Sequence, residues 1–147
     1  MQLCPAQRGL PPMLLDGAHN PHGMQALRAG LGACGLTPSA VIFSCLHDKD
    51  VEHILPQIST LAERCPVFTV TIVDNERAAQ DTDLAARIGG QARPCGTLRH
   101  ALALCAPYTA APTSAPVLIC GSLYLLGEFF AMYPTYLSPS SLEAPHA

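Results

Sequence analysis

Four short apolar runs, each followed by a segment of helical periodicity, constrain this chain more than any other feature. The runs are "MLL" at 13–15, "AVIFSCL" at 40–46, "VFTVTIV" at 67–73 and "PVLIC" at 116–120. A strand with one wet face alternates apolar and polar residues, whereas one covered on both faces reads as a continuous apolar run. Between the runs, Met24, Leu27 and Leu31 repeat at spacings of three and four, and Val51, Ile54, Leu55, Ile58 and Leu61 form the clearest amphipathic stripe. Helical patterns also occupy 82–88 and 97–105, with a short strand near Ala92 between them, and "SLYLLGEFFAMY" reads as a largely buried last helix.

Strands joined through helices run parallel, because only a crossover returns the chain to the same edge, and the helices then cover the sheet. The predicted fold is α/β: an open, mostly parallel Rossmann-like sheet with helices on both faces. A chain of 147 residues suits one domain. That domain is assigned to 1–137, with "SPSSLEAPHA" at 138–147 as a loose tail and the Pro, Thr and Ala-rich segment 106–116 as a loop.

Bulk charge narrows the partners. A net charge of −3 with eight scattered Lys and Arg gives no basic face for a nucleic acid backbone. The most apolar stretch is interrupted by Gly121, Gly127 and Glu128, and no basic-then-apolar leader opens the chain, so neither membrane insertion nor export is expected and the location read is cytoplasmic. The seven cysteines are odd in number and include no C-x-x-C, which fits buried, reduced thiols.

Gly30, Gly32 and Gly35 spell a literal G-x-G-x-x-G, but they follow a helical pattern and precede a strand. Phosphate-binding glycines do the reverse, so these read as the end of a helix. The stretch with the right placement is "LLDGAHNPHG" at 14–23. Asp16 ends a strand and Pro21 suits a first helical turn, which puts Asp16, His19 and Asn20 on the edge where open α/β sheets bind ligands. Asp16 suits the hydroxyls of a ribose and His19 a base or phosphate; equally, Asp16 or Asn20 suits a helix cap. His19 and His22 lack a third nearby ligand for a metal, so no metal site is assigned. His47 and His53 read as solvated. Asn75 and Arg77, in "DNERA", reach the same edge but fit a solvated loop better.

"LLDGAHNPHG" resembles the "LDGAHNP" signature of the folylpolyglutamate synthase/dihydrofolate synthase family, within the Mur ligase superfamily. "SCLHDKDVEHIL" and "VLICGSLYLLGEF" are similar to two further segments of that family, in the same order. The likeness covers only the family's C-terminal domain. It implies a part of an ATP-dependent ligase that joins glutamate to folate, or to dihydropteroate, through an acyl phosphate. By the same resemblance Asp16, His19 and Asn20 contact ATP, while Lys49, Ser122 and Tyr124 are candidates for glutamate or phosphate contacts.

ATP and Mg²⁺ then belong mainly to a separate P-loop ATPase domain. Lys49 is the only lysine here, and no G-x-x-x-x-G-K-[ST] surrounds it. No catalytic residue is therefore assigned within this chain alone. A stand-alone nucleotide- or protein-binding module of the same fold, or a domain of another Mur-type ligase, are the alternatives.

Overall fold

The computed structural model describes residues 1–6, 9–107 and 115–137. Among these residues six strands and five α-helices follow in the order β1 (Gln2–Cys4), β2 (Met13–Leu15), α1 (Pro21–Ala33), β3 (Ala40–Phe43), α2 (Val51–Ala62), β4 (Val67–Thr69), α3 (Asp81–Ile88), β5 (Ala92–Pro94), α4 (Leu98–Cys105), β6 (Val117–Cys120) and α5 (Leu123–Met132). A 3-10 turn, Pro134–Leu137, closes the described chain.

The strands form one sheet in the order β1-β2-β6-β3-β4-β5. The pairs β2·β6, β6·β3, β3·β4 and β4·β5 are parallel, and only β1 joins antiparallel, with Leu3 opposite Leu14. β1 was not anticipated: three residues at a sheet edge, with Leu3 exposed, carry almost no periodic signal.

Alternate strand residues divide the core into two layers. Val41, Phe43, Leu118 and Cys120 pack with Met24, Leu27, Ile54, Ile58 and Leu84, so α1, α2 and α3 cover one face. Ala40, Ile42, Val117 and Ile119 pack with Leu98, Leu102, Leu125 and Phe129, so α4 and α5 cover the other. The missing polar alternation thus has its predicted cause. A side chain leaving either face of β3 or β6 meets a helix rather than water.

The strands β3 and β4 are shorter than the apolar runs that announced them. β3 pairs with β6 only as far as Phe43 and Cys120, after which Gly121 adopts φ +107° and turns away. Ser44 and Cys45 stay fully buried without a ladder, and Leu46 makes an isolated bridge to Ala78. Apolarity continues because these residues lie under the loops of the carboxyl edge. The glycine-rich end of α1 is a helix terminus: the Cys34 N–H donates to the Gly30 carbonyl, and Gly35 follows at φ +60°.

This topology also decides where a crevice forms. The helices following β3 and β6 lie on opposite faces although those strands are neighbours, and so do the helices following β2 and β6. The connections diverge above β6 and open a gap at its carboxyl end.

Candidate functional site

The segment after β2 is a rigid turn before it is anything else. Asp16 continues the sheet through its N–H, which donates to the Ile119 carbonyl at 3.0 Å. Its Oδ1 accepts the Ala18 N–H at 2.8 Å, and its Oδ2 lies 3.2 Å from the Met1 amino group. Asn20 caps α1, its Oδ1 accepting the Gly23 N–H at 2.7 Å. The capping role therefore falls to Asn20, while Asp16 folds the turn ahead of it.

His19 stands between these two. Its Nδ1 is 2.7 Å from the Gly17 carbonyl. A carbonyl only accepts, so Nδ1 carries the proton and Nε2 is the edge left for another group.

Above β6, Gly121 donates its N–H to the Ala18 carbonyl at 2.9 Å, which ties the end of β6 to the same turn. Ser122, only 3% exposed, then caps α5 by accepting the Tyr124 N–H at 3.1 Å. The first turn of a helix presents unpaired N–H groups and partial positive charge. That end of α5 faces the gap at the sheet's switch point.

A cleft of about 160 Å³ lies there, lined by His19, Leu46, Lys49, Arg77, Gly121, Ser122, Leu123 and Tyr124. Four of the six residues singled out in the sequence line it. The other two, Asp16 and Asn20, line an adjoining recess with Gly17, Gly23 and, as its shared wall, His19. Lys49 makes no ion pair among the described residues, which leaves its ammonium available to the cleft.

The second cation, Arg77, sits on an exposed loop after β4, as the sequence suggests, and also lines the cleft wall, where its Nε donates to Asp48 Oδ2 at 2.7 Å. That hydrogen bond holds the Asp48 carboxyl below its ordinary range and raises the guanidinium in turn. The signal available in the sequence was positional, since Arg77 follows β4 onto the carboxyl edge. Asn75 instead orders its own loop, its Oδ1 accepting the Arg77 N–H at 3.0 Å.

His47 and His53 are exposed, and His53 Nδ1 lies 2.7 Å from Asp50 Oδ1, which raises its pKa. Among the described residues no three His, Cys, Asp or Glu side chains converge as a metal site, and no helix is long and apolar enough to cross a membrane. The arrangement is therefore a concave site with two cations, an imidazole and a helix N-terminus, and its chemistry suits a negatively charged group.

Comparison with known proteins bears on what that group is. No curated protein matches the chain. Among solved structures it is similar to Mycobacterium tuberculosis folylpolyglutamate synthase complexed with ADP and AMPPCP, at 27% identity and a TM-score of 0.70, covering 86% of this chain and 30% of that one. It is similar to the bifunctional folylpolyglutamate synthase/dihydrofolate synthase of Yersinia pestis complexed with AMPPNP and Mn ion, at 25% identity and a TM-score of 0.69, covering 90% and 30%. E. coli FolC in complex with ADP shares the fold at 22% identity and a TM-score of 0.68, over 86% and 30%. The chain thus spans about 30% of the length of these relatives, as their C-terminal part. The family described as "Mur ligase, glutamate ligase domain" matches residues 1–123. Fold, motif order and this match agree, and the chain belongs to the Mur ligase glutamate ligase domain family.

Proposed function

We propose that this domain serves an ATP-dependent ligase that attaches glutamate to folate, and to dihydropteroate, through an acyl phosphate. In that reading it closes a site whose P-loop ATPase domain supplies most of the ATP and Mg²⁺ contacts, and it does not catalyse ligation alone. The observation that carries the proposal is the convergence of His19, Lys49, Arg77 and the N-terminus of α5 on one cleft. Joining two anions requires that their charge be neutralised as they approach, and fixed cations beside oriented N–H groups do this without reorganisation.

The geometry divides the labour. Asp16 and Asn20 each spend Oδ1 on the turn and Asp16 Oδ2 pairs with the Met1 amino group, so a ribose or phosphate entering the recess would meet the Asn20 amide nitrogen and would compete with Met1 for Asp16 Oδ2. His19 Nε2 lies between that recess and the cleft. Lys49, the Ser122 hydroxyl and Tyr124 are placed for phosphate or for the carboxylates of glutamate. Tyr124 and Leu123 are well exposed at the rim, where a closing domain would cover them. The nucleotide ligands of the similar structures support this reading, and the setting that goes with it is cytoplasmic.

Titration of Mg-ATP into the chain, followed by backbone amide shifts, tests it. Shifts at residues 16–20 and 122–125, lost in the double variant Asp16→Ala, His19→Ala, are the expected result. Unmoved amides at millimolar nucleotide, both here and with the ATPase domain restored, would remove nucleotide from the assignment.

A further inference from the structure

We propose that Glu128 is a positioning residue that holds Arg77 over the cleft, an inference resting on the anion-site reading above. Glu128 lies beyond residues 1–123 matched by the family model; in the sequence it belongs to the segment "VLICGSLYLLGEF" and interrupts an apolar stretch, with no role of its own assigned to it. In the structure its Oε1 accepts the Val73 N–H at 2.8 Å, across 55 positions of chain. Val73 begins the loop that ends in Arg77. Asp74 within it sits at φ +53°, a conformation side chains seldom adopt, so the loop's path is imposed by its attachments.

Those attachments lie at both ends. At the far end the His47 N–H donates to the Arg77 carbonyl at 2.7 Å, and Arg77 Nε donates to Asp48. At the near end the only side-chain hydrogen bond to Val73 among the described residues is that of Glu128. Tyr124, one helical turn before Glu128 on α5, lines the cleft together with Arg77. Residues four apart share a helix face, so one stripe of α5 addresses both ends of the loop. The N-terminus of the same helix helps line the cleft, and Glu128 therefore couples the width of the cleft to α5 itself.

Stability does not account for this carboxylate. Among the described residues its Oε2 is buried without a hydrogen-bond partner, and burial raises the carboxyl's pKa, against the opposing pull of the Val73 N–H and with a smaller push upward from Asp74. A buried polar atom left unpaired is unfavourable, and an apolar side chain of similar size would avoid that cost. What only an acceptor supplies at this point is the tie to Val73.

The test compares Glu128→Met, which fills the space without an acceptor, and Glu128→Gln, which keeps one, each with and without Arg77→Ala. The probe is inorganic tripolyphosphate, read by the amides of residues 122–125. Glu128→Met should weaken binding about fivefold, Glu128→Gln less than about twofold, and neither should weaken it further once Arg77 is removed. A loss in Glu128→Met that persists undiminished in the Arg77→Ala background would overturn the proposal. Thermal unfolding accompanies each measurement, and Glu128→Met is expected to hold or raise the midpoint while binding falls.

If tripolyphosphate moves no amide in the wild-type chain, the anion-site reading fails instead. The positioning role is then decided by hydrogen exchange at Arg77 Nε–H. Faster exchange in Glu128→Met, restored in Glu128→Gln, supports it; equal exchange in all three proteins overturns it.

Discussion

The Cα of Gly121 faces the carbonyl oxygen of Ser44 with no room between them for a methyl group. A Cβ at this position would collide with that oxygen and approach the Phe43 ring to 2.6 Å, and the φ of +107° is itself unsuited to a side chain. This contact joins the ends of β3 and β6 directly beneath the cleft. Gly121→Ala should therefore destabilise the domain by about 3 kcal/mol or more, combining backbone strain with overpacking. Urea unfolding measures it, and a loss below about 1 kcal/mol would mean that the two strand ends relax easily.

Asn20 and Ser122 both cap helices, but only Ser122 lies in the cleft. Asn20→Ala should cost about 1 kcal/mol of stability, with Asn20→Asp recovering most of it. Ser122→Ala should cost a comparable amount and also weaken tripolyphosphate binding. Equal effects of both alanine variants on binding would show that capping alone explains Ser122.

Asp48 is hydrogen-bonded to Arg77, and that bond depresses its folded pKa. A depressed carboxyl contributes to the folded state above its unfolded pKa and loses that contribution as pH falls through the folded value. The Arg77 Nε resonance should accordingly stay at its bonded position through neutral pH and shift only on the acid side of the usual carboxylate range. In Asp48→Asn this acid transition should disappear.

His53 carries the opposite sign. Its bond to Asp50 raises the imidazole pKa above 6.5, so the pair's contribution is complete below the unfolded value and fades as pH rises through the folded one. Proton NMR should place the His53 midpoint above 6.5 in the native chain and lower in Asp50→Asn. An unchanged midpoint would mean that the pair does not persist in solution.

Seven free thiols are present, and only Cys34 is exposed. Burial raises Cys45 and Cys65 to about 11 and Cys105 to about 12, and it raises Cys120 and the remaining buried thiols as well. A thiol reagent at pH 8 should therefore modify one cysteine rapidly, and Cys34→Ser should abolish that phase. Several fast equivalents would reveal openings that expose the core.

Much of this was legible in residue order. The apolar runs gave away a sheet covered on both faces, and the helical stripes at Met24, Leu27, Leu31 and at Val51, Ile54, Ile58 became the buried faces of α1 and α2. Asp16, His19 and Asn20 could be placed beforehand on the carboxyl edge because they follow a strand and precede a helix, whereas Lys49, Ser122 and Tyr124 were named through the family resemblance. β1 escaped notice, since three edge residues cannot establish a period. The ends of β3 and β4 were overestimated because apolarity records burial, and Ser44 to Leu46 are buried beneath loops without a ladder.

Sequence by itself determined the α/β class, the edge that carries the candidate site residues and the place of Gly30, Gly32 and Gly35 at the end of a helix, because these depend on periodicities and spacings within one segment. Only the tertiary structure decided that Asn20 rather than Asp16 caps α1, that Arg77 joins Lys49 at the cleft, and that Glu128 holds Val73. Each of the last two is a relation between segments far apart in the chain, and a side chain's partner across the fold is set by how the helices stack on the sheet, which no local pattern contains.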